Sequence, residues 1–429
     1  MNRNRINIKK RIQKKIEMDN RRIKYIQKRT SDGIKVEKKP VVSGRKVVEK
    51  TKTVKETPQK INKKPTEDVD MNDRMKRRLG VVSAVKVDLI HNSSEINKYL
   101  SFSFNENSNI KVLLLSFGDY AGSGYRIKEC IKKFNNNIDI ISIYNKKHKY
   151  GYAHDIIILN NLKLRNHIQK LINDCDIIHF KGDDLPTRNW YGFDIPKTKK
   201  IILTVGGSIF RRGKKSEISL SKHPIDLYRK ITDVRTAITP DLNYPEYDGI
   251  YSPHVYDTKK TLNIWNNADI PIIQHSPSKR SKKGTNNIIL PAIKKLKNDG
   301  FKFELDIIEN VSNVISVERK KNGTIFIDQI NGVGFYGVSA IESMQYGVPL
   351  FTFISEKSYE QSNGIIDKKT CPIVNVSNIE TLYNKLKYYL ENRNELAELS
   401  IKTKEYVDKI HSFESNYLFW TNIYNEILK

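Results

Sequence analysis

Two basic side chains follow a predicted strand in the second half of the chain. Residues 270–275 form a run of strand type, and Arg280 and Lys283 come shortly after it, just ahead of a predicted helix. A guanidinium can bind two phosphate oxygens at once, whereas a lysine ammonium acts as a point charge. We therefore expect Arg280 and Lys283 to bind a diphosphate. The alternative is a solvated basic loop, since lysine-rich loops are common in this chain.

A glycine-rich loop and a carboxylate follow a later predicted strand, at residues 324–327. The loop ends at Gly337, and Glu342 lies about one turn inside the helix that comes next. Free N–H groups and the positive end of the helix dipole attract phosphates. A carboxylate accepts hydrogen bonds from ribose hydroxyls. This combination is what a nucleoside diphosphate sugar needs.

A second glycine-rich turn lies in the first half, between an apolar run at residues 112–115 and a helical pattern that reaches Phe134. Gly122 and Gly124 lie where N–H groups at the start of a helix attract anions, which makes them candidates for a phosphate or acceptor loop. The turn departs from the regular dinucleotide-binding fingerprint. A tight turn without a ligand is an equally good interpretation.

Apolar runs alternate with helical patterns along most of the chain, as at residues 138–143, 156–159, 177–180 and 201–205, and the pattern restarts after a break around 240–253. This alternation is typical of parallel sheets with helices on both faces. We predict an α/β fold of two Rossmann-like, doubly wound domains that face a cleft. The predicted units are a tail (1–80), a transitional segment (81–109), an N-terminal domain (110–255), a C-terminal domain (256–410) and a final helix (411–429) that packs back on the N-terminal domain.

The positive charge is concentrated near the N-terminus. The formal net charge is +28, and more than half of it lies in residues 1–80, which are rich in Lys and Arg and nearly free of aromatic residues. Such a segment cannot bury enough apolar surface to fold, so we predict a disordered basic tail. The alternative is a short amphipathic helix on an anionic surface or a partner, built on Ile6, Ile8, Ile12 and Ile16.

No stretch approaches the roughly 18 apolar residues of a membrane-spanning helix, and the N-terminus lacks the apolar core of a signal peptide. We therefore expect a cytoplasmic protein, with peripheral membrane contact as an alternative. The cysteines are few and far apart, so we interpret them as buried thiols: Cys130, Cys175 and Cys371. No metal and no cofactor are expected, because no cluster has metal-ligand spacing.

The site-bearing segments resemble a known family. "HSPSKRSKKGT" and "FIDQINGVGFYGVSAIESMQYGVPL" are similar to the donor-binding half of retaining GT-B glycosyltransferases of the family 4 type. The resemblance covers residues 256–410 and extends loosely over 111–255 through "DIIHFKGDD" and "ILTVGGSIFRR". It implies a UDP- or GDP-hexose donor. By position, Glu342 corresponds to the ribose-binding glutamate, Lys283 and Gly284 to the phosphate-binding loop, and Arg280 to a second phosphate ligand.

The sequence departs from the family pattern at two points. Gly334 stands where a glutamate often lies near the sugar, so Asp328 or Gln329 is expected to substitute as a polar contact. A histidine of the first half is replaced by glycine at 206 and 207. The remaining candidates for the catalytic position and for the acceptor side of the cleft lie in the first domain: His179, Asp183, Gly207 and Arg211. His179 could equally be a structural residue at a strand end.

Three functions remain open from the sequence. The first is transfer of a hexose, independent of metal, to a glycan or lipid-linked acceptor at a membrane surface. No Asp-x-Asp motif stands in a loop of the kind that holds a metal and a diphosphate. The second is phage-type glycosylation of modified bases in DNA, for which a basic tail would supply phosphate attraction. The third is a degenerate GT-B protein that binds nucleic acid or serves a structural role.

Overall fold

The computed structural model describes residues 93–182, 187–206, 225–265, 267–330 and 334–429. The predicted basic tail and residues 81–92 of the transitional segment lie outside these ranges. Within them the molecule is built on two separate parallel sheets, which confirms the predicted α/β class. No helix in the described ranges is both long and apolar enough to cross a membrane.

The first sheet contains seven parallel strands, and a small antiparallel hairpin lies beside it. The strands in chain order are β1 (Ile110–Ser116), β2 (Ile138–Tyr144), β3 (Ile156–Ile157), β4 (Ile177–Gly182), the hairpin β5 (Asn189–Trp190) and β6 (Phe193–Asp194), β7 (Lys200–Val205), β8 (Val234–Ala237) and β9 (Ile250–Tyr251). The spatial order of the sheet is β3-β2-β1-β4-β7-β8-β9. The chain thus winds outward in one direction from β1 and in the other from β4, as in a doubly wound fold.

Helices cover the first sheet. They are α1 (Ser93–Leu100), α2 (Ser123–Phe134), α3 (Leu162–Asp174) and α4 (Ile225–Ile231). The continuous apolar run of β1 is explained by this cover, since a strand with helices on both faces has no solvent side. Val112 and Leu115, like the two residues between them, have no exposed surface.

The second sheet contains five parallel strands in the spatial order β11-β10-β12-β13-β14. They are β10 (Ile272–His275), β11 (Glu304–Ile307), β12 (Ile325–Ile327), β13 (Leu350–Thr352) and β14 (Val374–Asn375). The helices that follow are α5 (Arg280–Lys283), α6 (Leu290–Asn298), α7 (Asn313–Lys320), α8 (Val338–Met344), α9 (Glu356–Glu360), α10 (Ile379–Glu391), α11 (Arg393–His411) and α12 (Phe413–Leu428). A π-helical turn at Thr285–Ile289 precedes α6.

The last helix, α12, leaves the second sheet and joins the core of the first, where Phe413, Trp420 and Tyr424 are buried. The chain therefore passes between the two halves twice, near Tyr256 and near Ser412. These two passages form an isolated parallel bridge, and the Tyr256 N–H donates to the His411 carbonyl at 2.7 Å. The two crossings are thereby held side by side.

A histidine anchors this crossing. Nδ1 of His411 lies 2.7 Å from the carbonyl oxygen of His254, and Nε2 lies 2.8 Å from the hydroxyl of Tyr336. Because a carbonyl can only accept, Nδ1 carries the proton and Nε2 accepts from Tyr336. Burial lowers the pKa of His411 to about 4, which keeps the ring in this neutral form.

The turn between β1 and α2 is organised by one carboxylate. Asp119 accepts the N–H groups of Gly124 at 2.8 Å and Tyr125 at 2.9 Å, and the hydroxyl of Tyr144 at 2.9 Å. The start of α2 packs closely on β1, since a Cβ added at Gly124 would lie 2.8 Å from Cδ2 of Leu114. A side chain at position 124 would therefore force the buried Leu114 side chain to shift.

We predict that Gly124→Ala lowers the free energy of unfolding by about 1–2 kcal/mol, because overpacking in a closed core outweighs the helix propensity gained by alanine. The control is Gly118→Ala in the same turn, where the nearest contact of an added Cβ is 3.6 Å and a change below about 0.5 kcal/mol is expected. Urea denaturation of both variants measures the difference. Equal midpoints would contradict the packing role.

We also predict that stability falls as the pH drops from 6.5 to 5. Burial lowers the pKa of three histidines, to about 3 in His179 and to about 4 in His275 and His411, below the value of about 6.5 in an unfolded chain. The unfolded state therefore binds more protons between pH 6.5 and pH 5. At pH 5 this lowers the free energy of unfolding by about 2 kcal/mol per histidine. Urea titrations at pH 7 and pH 5 measure the fall, and His179→Gln should make it smaller by about 2 kcal/mol.

Candidate functional site

Three of the predicted donor residues meet at the carboxyl edge of the second sheet. Asp328 follows β12 directly and is 1% exposed, and Nζ of Lys283, at the end of α5, lies 2.7 Å from its Oδ1. The other carboxylate oxygen accepts the Gly337 N–H at 2.6 Å. Asp328 thus joins α5 to the start of α8. The cluster of Lys283, Asp328 and Gly337 is called the lysine–aspartate cluster below.

Gly284 and Gly337 each have a geometric role at the lysine–aspartate cluster. Gly284 ends α5 with a φ of 76°, in the left-handed region that favours glycine. The turn returns the chain so that the Lys283 carbonyl accepts the N–H of Ile330. At Gly337 an added Cβ would lie 3.3 Å from Nζ of Lys283. A side chain there would crowd the ammonium against Asp328.

Arg280 lies apart from the lysine–aspartate cluster. Its guanidinium forms a two-pronged pair with Glu309, with Nε at 3.0 Å and Nη2 at 2.6 Å from Oε2, and 42% of its side chain is exposed. The planar fork that would bind two phosphate oxygens is occupied by a carboxylate. Arg280 would have to leave Glu309 before it could contact a phosphate.

Glu342 lies on α8, deeper between the two halves of the molecule. Its side chain is 3% exposed, and Oε2 pairs with Nζ of the equally buried Lys320 at 2.7 Å. Oε1 accepts from Nδ2 of Asn313 at 2.7 Å and from the Tyr256 hydroxyl at 3.3 Å. A carboxylate has roughly four acceptor positions, and these bonds use three of them. The remaining position is the one that a ribose hydroxyl could occupy.

A residue of the first half completes this group. Arg126, on α2, places Nη2 4.0 Å from Oε1 of Glu342 and its guanidinium carbon 3.7 Å from the ring centre of Tyr256. A cation over an aromatic face is attracted by the ring quadrupole. Arg126 therefore connects the turn of the first sheet to the carboxylate of the second.

The sequence analysis missed three residues that surround Glu342: Arg126, Asn313 and Lys320. Arg126 stands just behind the glycine-rich turn, which is the one signal that could have drawn attention to it. Nothing in the spacing points to Lys320, because its partner is 22 residues further along the chain and on another helix. Such pairs depend on how α7 and α8 pack together.

The first glycine-rich turn differs from its predicted role. We expected the N–H groups at Gly124 to attract an external anion, but the carboxylate of Asp119 already accepts them. Gly122 has a φ of 62°, and an added Cβ would lie 3.0 Å from the ring of Tyr152. In this structure Gly122 adopts a backbone conformation that favours glycine, and Gly124 donates its N–H within the turn.

His179 lies in the core. It has no exposed surface, Nε2 lies 2.6 Å from Oγ1 of Thr204, and Nδ1 lies 3.0 Å from the hydroxyl of Tyr424 on α12. Burial lowers its pKa to about 3. A ring with both nitrogens bonded inside the core does not suit the predicted catalytic role. The other first-domain candidates, Asp183, Gly207 and Arg211, lie outside the described residues.

The chain matches no protein-family model, and no curated protein sequence matches it. Its structure is similar to that of an alpha-glucosyltransferase in complex with UDP-glucose and DNA containing an abasic site. The TM-score is 0.53 at 12% identity, over 75% of this chain and 100% of that chain.

Two further solved structures are similar. A glycosyltransferase from Rickettsia africae has a TM-score of 0.50 at 16% identity, over 75% of this chain and 99% of that chain. The Anabaena protein HepE in complex with UDP has a TM-score of 0.50 at 10% identity, over 72% of this chain and 97% of that chain. At these identities the likeness concerns the fold, and the chain has the GT-B fold of these proteins.

Proposed function

We propose that the protein is a glycosyltransferase that moves a hexose from a nucleotide sugar to an acceptor hydroxyl. The observation that carries the proposal is the lysine–aspartate cluster. It lies at the carboxyl edge of the second parallel sheet, which is where ligands of open α/β sheets bind. The shared fold supports the proposal, because two of the similar structures contain UDP or UDP-glucose.

In this proposal Lys283 meets the diphosphate of the donor. Its side chain is only 13% exposed, so its charge acts in a partly desolvated place, where electrostatic interactions are stronger than in water. Asp328 holds the ammonium in position before the donor arrives. Glu342, already fixed by Lys320 and Asn313, accepts a ribose hydroxyl with its remaining lone pair.

The reaction breaks the bond between the anomeric carbon and the diphosphate oxygen and forms a bond from that carbon to the acceptor oxygen. The acceptor proton passes to the leaving nucleoside diphosphate. We propose retention of configuration, as the family 4 resemblance implies. Lys283 contributes by stabilising the negative charge that develops on the leaving group, which is an electrostatic role fixed before the reaction begins. No metal is assigned to this step.

We predict that a panel of UDP- and GDP-sugars contains a donor that binds, and that Lys283→Met weakens its binding about tenfold or more, because a charge-assisted hydrogen bond contributes about 1.5–3 kcal/mol. Isothermal titration calorimetry measures both affinities. The matched control is Lys282→Met, an exposed neighbour on the same helix, which should bind as the wild type does. Failure of the whole panel, or equal loss in both variants, would contradict the proposed donor site.

For the acceptor we propose a glycan or glycolipid first and DNA as a second candidate. Two observations favour DNA. One is the alpha-glucosyltransferase structure that contains DNA. The other is the loop after β2, where exposed lysines lie over aromatic rings: Nζ of Lys146 is 4.3 Å from the ring centre of Phe117, and Nζ of Lys149 is 4.5 Å from that of Tyr150. Cations interleaved with aromatic rings suit phosphates and bases.

If DNA is the acceptor, Lys146→Ala combined with Lys149→Ala should reduce the slope of log affinity against log salt by about 2, because each phosphate contact contributes about one unit. Gel-shift titrations of the full chain at several salt concentrations measure the slope. The control is Lys294→Ala combined with Lys385→Ala, two exposed lysines of the second half. An unchanged slope in the loop variant would exclude this loop from DNA binding.

A further inference from the structure

One buried lysine has no role in the site described so far. Lys181 is next to last in β4 and is 1% exposed, and among the residues that the structure describes its Nζ has no hydrogen-bond partner. A buried ammonium without a partner is unfavourable, because it has lost its water without gaining protein acceptors. We therefore expect such a group to have a function.

Asp119, whose charge acts on Lys181, does not supply a hydrogen-bond partner. Asp119 raises the pKa of Lys181 through its charge, but burial has the larger effect and lowers the pKa to about 8. The Asp119 oxygens accept from Gly124, Tyr125 and Tyr144. Lys181 is thus a largely protonated donor beside a carboxylate whose lone pairs are used by the turn and by β2.

Lys181 also occupies a particular place in the topology. It pairs in register with Ser116, the last residue of β1, and the chain winds in opposite directions from β1 and β4. The gap between these two strands is the switch point of the first sheet, outside which open α/β sheets bind their ligands. On the adjacent helix α2, Arg126 extends from the same region toward Glu342 in the second half.

We propose that Lys181 forms an oxyanion subsite of the first domain. Its Nζ donates a hydrogen bond to the bound nucleotide sugar, either to a phosphate oxygen or to the reacting oxygen, which is the diphosphate oxygen bonded to the anomeric carbon. This inference rests on the proposed function and adds a binding residue to it. The unpaired ammonium of Lys181 then pairs with a negatively charged oxygen of the substrate. The first domain then contributes one fixed cation and the second domain contributes Lys283.

The test compares Lys181→Met with the wild type in three measurements: the affinity for UDP, the affinity for UDP-glucose and the rate of UDP-glucose hydrolysis. Removal of an unpaired buried charge should leave the melting temperature equal or higher. If the partner is the diphosphate, UDP affinity falls about tenfold or more. If the partner is the reacting oxygen, UDP affinity is unchanged and hydrolysis of UDP-glucose slows by at least the same factor. Lys181→Gln serves as a second variant if the Met variant does not fold.

His179→Gln on the same face of β4 is the structural control, with lower stability and unchanged affinity for UDP. Unchanged affinity and unchanged hydrolysis in Lys181→Met would overturn the subsite, and so would a loss of activity that only follows a loss of stability. If the wild type binds donor and Lys283→Met binds it weakly, the proposed function stands, and a null result in Lys181→Met counts against Lys181 alone. If the wild type binds no nucleotide sugar, the proposed function itself has failed.

Discussion

In each sheet an aspartate that follows a central strand accepts the backbone N–H that opens the next helix. Asp119 does this behind β1 and Asp328 behind β12. The rest of the site depends on this interaction, because it holds each glycine-rich turn closed without a ligand and occupies the donors that a phosphate would otherwise use. Attraction for a substrate anion must then come from side chains. Lys283 is hydrogen-bonded to its aspartate, whereas Lys181 lies near Asp119 without a bond to it.

The two halves approach each other at a buried carboxylate, Glu342. Glu342 pairs with Lys320 and is approached by Arg126 from the first half, and loss of one partner from such a buried pair typically costs about 3–5 kcal/mol. Close by, His411 and Tyr256 hold the two chain crossings together. Glu342 and the two chain crossings therefore belong to one connected region, so a change in the angle between the halves would alter the surroundings of Glu342.

Much of the fold follows from patterns that are local in sequence. The apolar runs at residues 177–180 and 201–205 became β4 and β7, and α8 begins directly after Gly337, the last glycine of the glycine-rich loop. Shorter elements escaped prediction. The strand β9 lies inside a stretch that we interpreted as a break, and the predicted strand at residues 156–159 is only two residues long. Short strands carry too few residues for a period to show, and their pairing partners lie far away in the chain.

The sequence by itself determined the α/β class, the strand–turn–helix segments and the residue types at their ends, because periodicity and glycine placement act over a few neighbouring residues. It could not show that Arg280 would turn to Glu309, that His179 would be enclosed by Thr204 and Tyr424, or that Arg126 would reach Glu342. Only the tertiary structure decided these partnerships. The interaction energy of a charge and the pKa of a histidine depend on burial and on partner side chains. Those partners lie on other elements, and the packing of the elements brings the partners together.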